Sequence, residues 1–125
     1  MKKQIEKLTI EGVTYVPEGS TPEPGKDAEG LRYAIVRSRD QGVMCGFVER
    51  IEGRQVTLLM ARQMWRWSSK FVLTDAAEHG LTDKWESKFS CEASQPTVML
   101  EACGVLYCTE KAMQSLRAVV AQSHD

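Results

Sequence analysis

Three consecutive runs of β-forming residues in the first half of the chain constrain its fold more than any other feature. The runs cover residues 32–38, 43–50 and 56–60 and contain many valine, isoleucine, tyrosine and phenylalanine residues, which pack well on a pleated sheet. Turn-like sequences separate them at residues 39–42 and 51–54, and each contains a glycine that can adopt the positive φ of a tight turn. Because short turns join antiparallel neighbours, these runs predict an antiparallel β-meander.

The segments before the meander differ from it in composition. Residues 8–16 alternate apolar and polar side chains around a Glu-Gly pair, which predicts a short hairpin or a bulged strand. Residues 17–30 hold three of the four prolines and three glycines, a composition typical of a flexible surface linker. We therefore divide the chain into an N-terminal β hairpin or strand at 1–16, a linker at 17–30 and a single α+β domain at 31–125.

The second half predicts one short helix and further strands. Residues 72–80 predict the helix, which Gly80 ends. Strands are predicted at residues 88–91, 97–102 and 105–108. The fold class is therefore α+β, with an antiparallel meander sheet, a short middle helix and a C-terminal helix packed on it.

The C-terminal helix is predicted from its cap and its periodicity. Thr109 is a suitable N-cap residue, and Glu110 next to it faces the positive end of the helix dipole. The apolar residues that recur at helical spacing are Ala112, Met113, Leu116, Val119 and Val120. Arg117 borders this face, so its side chain either lies over the core with its charged end in water or points into a groove or interface.

Length and cysteine usage indicate a small intracellular domain. A chain of 125 residues forms one domain, and neither a membrane-spanning apolar run nor a signal-peptide pattern is present, so a cytoplasmic protein is expected. The four cysteines show none of the close paired spacing of zinc ligands. We expect them to be reduced and mostly buried, and we expect no metal or cofactor.

Positive charge is concentrated in one part of the chain. Residues 31–70 carry eight arginines and lysines against three acidic residues, a net charge of +5, whereas the whole chain has a net charge of −1. Seven of the eight arginines lie in this window. Arginine suits partly buried phosphate, and an extended nucleic-acid surface would normally make the whole domain basic. A compact anion site is one interpretation, and solvated strand faces are the other.

An arginine–tryptophan stretch at residues 61–68 extends the last meander strand and contains Arg62, Trp65, Arg66 and Trp67. Guanidinium groups bind phosphate oxygens and aromatic faces stack on bases, so this composition suits a nucleotide. The same residues also suit a half-buried strand whose arginines lie over aromatic rings. No dinucleotide or P-loop motif is present, and no nucleophile, base and orienting group stand out together. A binding protein is therefore predicted rather than an enzyme.

A set of residues within positions 32–117 follows a recognisable order: Val36-Arg37, Gly42-Val43, Gly46, Val56, Leu58, Ala61-Arg62, Trp65, Trp67, Leu73, Gly80, Lys88-Phe89, Thr109 and Ser115-Leu116-Arg117. This order resembles a family of small phage-encoded proteins, the Thoeris anti-defence proteins of the first type. The family implies a protein that binds a cyclic ADP-ribose isomer, and in some members cyclic oligonucleotides, without cleaving it. Sequestering this signal blocks the bacterial immunity that TIR-domain enzymes trigger. The resemblance further implies a homodimer or hexamer in the host cytoplasm.

The resemblance assigns ligand-binding roles to individual residues. Arg37 and Arg62 are expected to contact phosphate or ribose, Phe89 to pack on the base and Arg117 to contribute from the last helix. Trp65 and Lys88 belong to the same predicted site, although Trp65 also suits a scaffold role. The chain departs from the pattern at residues 85–87 and lacks the aromatic tail expected after Arg117.

Two other functions stay open at this point. A small nucleic-acid-binding module would use the same arginines and tryptophans on an open sheet, and its binding would depend strongly on salt. An enzyme that cleaves a cyclic nucleotide signal would release a product where a sequestering protein releases intact ligand.

Overall fold

The computed structural model describes residues 8–10, 13–15, 22–66, 73–81 and 87–121. The strands are β1 (Leu8–Ile10), β2 (Val13–Tyr15), β3 (Tyr33–Ser38), β4 (Gly42–Glu52), β5 (Gln55–Arg66), β6 (Lys88–Phe89), β7 (Thr97–Met99) and β8 (Ala102–Tyr107). The helices are α1 (Leu73–His79) and α2 (Glu110–Arg117). No helix in these ranges is long and apolar enough to cross a membrane.

The main sheet has the order β6-β5-β4-β3-β8, and β7 also pairs with β5. Strands β3, β4 and β5 form the predicted antiparallel meander, with Tyr33 opposite Phe47 and Val43 opposite Met64. The tight turns use glycine at positive φ, at Gly42 (80°) and Gly53 (60°). The predicted α+β class is confirmed, with a mostly antiparallel sheet and two helices.

Strand β5 bends, and its edge away from β4 pairs with two further strands. Between the pairs Cys45–Arg62 and Phe47–Leu59, β5 has one residue more than β4, and Met60 in this bulge has a φ of 53°. Bulges of this kind kink a strand and increase its twist. The first half of β5 pairs with β7, and the second half pairs with β6.

The strand predicted at residues 97–102 is instead two strands on opposite edges of the meander. β7 pairs with β5, β8 pairs with β3, and only Leu100 and Glu101 separate them. Glu101 has a φ of 53°, which turns the chain out of the extended conformation. The Ala102 N–H donates to the Arg54 carbonyl at 2.7 Å, so the curled sheet brings its two edges close together.

The sheet has a buried core on each face. On the face that packs against the helices, Tyr33, Ile35 and Phe47 join Leu116 of α2. The opposite face buries a second cluster of Ala34, Val36, Val56, Leu58, Ala61, Met99 and Ala102. β3 therefore alternates strictly between the two cores, as a strand buried on both faces requires.

Helix α2 begins as predicted but ends earlier. The Thr109 hydroxyl accepts a hydrogen bond from the Ala112 N–H at 3.1 Å, which confirms it as the N-cap. The helix ends at Arg117. Val119 is buried as expected, whereas Val120 is 77% exposed, because helical periodicity no longer applies beyond the helix end.

The N-terminal segment contains two paired strands, and further along it has backbone hydrogen bonds to the domain. β1 and β2 pair antiparallel, with Ile10 opposite Val13. Part of the predicted linker at 17–30 lies outside the described residues. Its described part is bonded into the domain, because the Gly25 N–H donates to the Cys108 carbonyl at 2.9 Å and the Gly25 carbonyl accepts from the Tyr33 N–H at 2.8 Å. A Cβ at position 25 would lie 2.8 Å from the Met113 Cβ, so this close packing requires glycine.

Candidate functional site

A pocket of about 790 Å³ opens where the two edges of the curled sheet meet. We call it the arginine pocket, and its lining residues are Arg37, Ser38, Arg39, Asp40, Val43, Arg54, Glu101 and Cys103. Its volume lies in the range of ordinary small-molecule sites. The lining is polar where most drug-like sites are apolar, so the pocket suits a charged ligand.

Three stretches of the chain supply the lining: residues within 37–43, residue 54, and residues 101 and 103. Arg37 lies near the end of β3, on the same face as Tyr33 and Ile35, but its side chain is exposed. It pairs in register with Gly104 of β8, and apart from Gly104 and its chain neighbours no atom of the described residues lies within 4 Å of the place where a Cβ would stand on that glycine. The β3–β4 turn contributes Arg39, and the β4–β5 turn contributes Arg54. Open space beside Arg37 therefore adjoins cations from two turns.

The Gln41 side chain fixes one wall of the pocket. Its amide nitrogen donates to the Val98 carbonyl at 3.2 Å, and its amide oxygen accepts from the Leu100 N–H at 2.7 Å. The Ser38 hydroxyl donates to the Leu100 carbonyl at 3.3 Å. We call these bonds the Gln41 clamp, because they hold the β3–β4 turn against the link between β7 and β8. The positions of Arg39 and Glu101 are thereby coupled before any ligand binds.

The pocket carries excess positive charge. Its three arginines, Arg37, Arg39 and Arg54, are exposed and face two carboxylates. Within the described ranges, none of these three guanidinium groups forms an ion pair or a side-chain hydrogen bond. Their fork-shaped donors are therefore available for an anion with several oxygen atoms, such as phosphate.

Of the residues expected to bind ligand, Arg37 lines the arginine pocket, while Arg62, Phe89 and Arg117 come together elsewhere. Arg62 is only 3% exposed, and its guanidinium lies 5.0 Å from the centre of the Phe89 ring. Its Nε donates to the Ser90 carbonyl at 2.8 Å, and its Nη1 donates to the Leu116 and Arg117 carbonyls at 2.9 and 3.3 Å. Arg62 thus places a cation on the C-terminal carbonyls of α2.

Arg117 and Phe89 are also engaged with the protein. Arg117 binds Glu92 through two bonds, Nε to Oε2 at 2.7 Å and Nη2 to Oε1 at 3.1 Å, and lies 5.2 Å from the Phe47 ring centre. The hydrogen bond to Glu92 raises the pKa of the Arg117 guanidinium. Phe89 is fully buried. A ligand-binding role for these three residues stays a prediction.

The last two predicted residues, Trp65 and Lys88, lie on the adjacent strands β5 and β6. Trp65 is 56% exposed, and Lys88 is half-buried. Neither lines the arginine pocket. Their ligand-binding role also stays a prediction.

Sequence reasoning missed most of the pocket. Arg39 and Arg54 belong to the arginine-rich window, and that concentration was the available signal. Asp40 and Glu101 carried no signal, because a search for phosphate-binding cations passes over carboxylates. Glu101 reaches the pocket only through the turn between β7 and β8.

Tyr33, Cys45 and Cys108 are buried ionisable groups whose protonated forms the fold favours. The Tyr33 hydroxyl donates to the Cys45 sulfur at 3.3 Å inside the core. Burial raises the pKa of the Tyr33 phenol and raises the pKa values of the Cys45 and Cys108 thiols to about 12. These thiols therefore stay protonated and unreactive. In the part of the chain that the structure describes, no three His, Cys, Asp or Glu side chains form a group that could hold a metal ion.

A family model described as Domain of unknown function (DUF6948) matches residues 31–116. The matched segment includes every residue that lines the arginine pocket and most of α2. No curated protein and no solved structure matches the chain.

Proposed function

This chain belongs to the DUF6948 family, and we propose that it binds an anionic, nucleotide-derived small molecule and holds it without cleaving it. The observation that carries this proposal is the set of three exposed arginines around one pocket, none of which has an ion-pair partner within the described residues. Arginines on a solvated surface commonly pair with nearby carboxylates. These three instead share a concave site with two carboxylates and leave their donors free.

The charge and size of the pocket favour a pyrophosphate-bearing ligand. Two linked phosphates present several oxygen acceptors, which suits several guanidinium forks better than one phosphate does. A volume of about 790 Å³ accommodates a molecule of nucleotide size. Holding a signal against its receptor requires tight binding, and a nanomolar dissociation constant corresponds to roughly −12 kcal/mol. Several charge-assisted bonds to guanidinium groups that are held in place would supply a large part of this binding free energy.

The resemblance implies a cyclic ADP-ribose isomer, and the linked phosphates of this ligand suit the arginine pocket, so it is the first class to test. Cyclic oligonucleotides are the second class. The proposal includes the anti-defence role, in which sequestration of the signal in the host cytoplasm blocks TIR-based immunity. It also includes a homodimer or hexamer. Light scattering of the purified protein tests the assembly, and co-expression with a TIR-domain defence system tests the biological role.

The pocket offers no activated thiol, so a cleavage reaction would have to use its two carboxylates, Asp40 and Glu101. Cys103 is the strongest nucleophile among the lining residues, and no histidine is among them to activate it. To separate the two functions, the protein is incubated with cyclic ADP-ribose, denatured by heat, and the released ligand is analysed by mass spectrometry. Intact ligand supports the proposal, and a hydrolysed product contradicts it.

The site itself is tested by calorimetry with cyclic ADP-ribose isomers and cyclic di- and trinucleotides. Arg37→Ala and Arg54→Ala should each weaken binding more than tenfold, because each removes a charge-assisted contact. Arg50→Ala is the matched control, since Arg50 is exposed on β4, pairs with Glu52 at 3.7 Å and does not line the pocket.

Equal binding by all three variants would place the ligand elsewhere. If the protein binds single-stranded RNA or DNA tightly and with a steep salt dependence, and binds none of the small ligands, a nucleic-acid-binding module is favoured instead.

A further inference from the structure

We propose that Glu101, with Asp40 in the same pocket, selects a ligand whose phosphates adjoin ribose hydroxyl groups. This inference rests on the proposed function, because it assumes that the arginine pocket binds a phosphorylated ligand. Both carboxylates line the pocket together with Arg37, Arg39 and Arg54. The ligand is therefore expected to present hydrogen-bond donors as well as negative charge.

A carboxylate in an anion pocket weakens binding of a simple anion. It repels phosphate through the same Coulomb interaction by which arginine attracts it. Its presence favours binding only when the ligand brings a donor that the carboxylate can accept. Ribose hydroxyls are such donors, and an Asp or Glu accepts them from nucleotides in dinucleotide-binding folds. The same repulsion discriminates against inorganic phosphate and pyrophosphate.

The two carboxylates are free to accept such donors. Within the described residues, neither Asp40 nor Glu101 lies within ion-pair distance of an arginine, although both share a pocket with three. Both side chains are exposed. The arginine donors and the carboxylate acceptors of the pocket are thus not paired with each other. Both kinds of group stay available to a ligand that carries acceptors and donors of its own.

The backbone holds Glu101 in place at some cost. Its φ of 53° belongs to the left-handed region, which non-glycine residues seldom occupy and which occurs more often at functional sites. Hydrogen bonds hold both of its neighbours, since the Leu100 N–H donates to Gln41 and the Ala102 N–H donates to the Arg54 carbonyl. The second bond ties the link between β7 and β8, which carries Glu101, to the β4–β5 turn, which carries Arg54.

The test measures binding of two probes, ADP-ribose and inorganic pyrophosphate, by calorimetry. Both contain linked phosphates, and only ADP-ribose has ribose hydroxyls. Glu101→Ala should weaken ADP-ribose binding at least tenfold and strengthen pyrophosphate binding at least twofold, because it removes an acceptor and a repelling charge. Glu101→Gly should act likewise, and glycine suits the left-handed backbone, so a folded variant is available.

The outcomes separate this inference from the proposed function. If pyrophosphate binds, Arg37→Ala abolishes its binding, and Glu101→Ala leaves ADP-ribose binding unchanged or tighter, then the selection by Glu101 is overturned and the anion site stands. The same holds if pyrophosphate binds to the wild-type protein and ADP-ribose does not. If neither probe binds the wild-type protein, the selection by Glu101 is overturned, and the proposed function is overturned as well when none of the cyclic ligands binds. Opposite effects of Glu101→Ala on the two probes support the inference.

Discussion

Burial separates the three arginines of the pocket from Arg62, and the two kinds of arginine serve different purposes. Arg37, Arg39 and Arg54 are exposed and lack ion-pair partners within the described residues, so their donors are available to a ligand. Arg62 is buried, and its Nε and Nη1 donate to three backbone carbonyls. These carbonyls belong to residues 90, 116 and 117, so one side chain joins β5 to the segment after β6 and to the end of α2.

Arg62→Ala is therefore expected to destabilise the fold. It leaves buried carbonyls without donors, and hydrogen bonds to a charged group contribute about 1.5–3 kcal/mol. We expect a loss of about 3 kcal/mol in the free energy of unfolding, measured by urea denaturation. Arg50→Ala, at an exposed site, should change it by less than about 0.5 kcal/mol. A loss below about 1 kcal/mol for Arg62→Ala would contradict a structural role.

At the scale of elements, the link between β7 and β8 determines where the pocket lies. Two residues, Leu100 and Glu101, carry the chain from one edge of the meander to the other. The Gln41 clamp holds this link from the β3–β4 turn, using both the donor and the acceptor of one amide. The hydrogen bond from the Ala102 N–H to the Arg54 carbonyl ties the β4–β5 turn to the same link. Two turns and a link that are far apart in sequence therefore form a single wall.

Gln41→Ala should loosen this wall. Two hydrogen bonds are lost at a part-exposed site, so the free energy of unfolding should fall by about 1–2 kcal/mol. Affinity for the pocket ligand should fall severalfold, because Glu101 and Arg39 are no longer held together before binding. Urea denaturation and calorimetry measure the two effects. Gln95→Ala, at an exposed position, is the control and should change neither; equal behaviour of the two variants would show that the clamp does not organise the pocket.

At the scale of the whole molecule, the buried thiols make the free energy of unfolding depend on pH in the alkaline range. Burial raises the pKa values of Cys45 and Cys108 from about 9 to about 12 in the folded protein. In the unfolded chain these thiols ionise above about pH 9, so the unfolded state then binds fewer protons than the folded state. The stability that the protonated thiols contribute is complete below pH 9 and is lost as the pH rises toward 12.

We therefore expect the free energy of unfolding to fall by up to about 1.4 kcal/mol per pH unit for each buried thiol above pH 9. Urea denaturation at intervals from pH 8 to 10, with a reducing agent present, measures this slope. Cys45→Ala should reduce the slope, whereas Cys91→Ala should leave it unchanged, because Cys91 is already exposed in the folded protein. A flat profile between pH 9 and 10 would show that the thiols are not protected by the fold.

The sequence by itself determined the elements whose signals are local. Runs of β-forming residues separated by glycine-containing turns predicted the meander, because such residues pack well on a pleated sheet and short turns join antiparallel neighbours. The N-cap preference of Thr109 predicted the start of α2 in the same way. Where a local pattern continued past the end of an element, as at Val120 or through residues 97–102, the prediction was wrong, since periodicity does not show where the backbone turns.

Only the tertiary structure decided which arginines are buried and which residues share the pocket. Arg37 and Arg62 are alike in sequence terms. Arg37 is nevertheless exposed near the turn that follows β3, whereas Arg62 is buried against the carbonyls at the end of a helix far along the chain. Glu101 enters the pocket because the sheet curls and brings its two edges together. Burial and proximity depend on contacts between segments distant in sequence, and no local pattern encodes them.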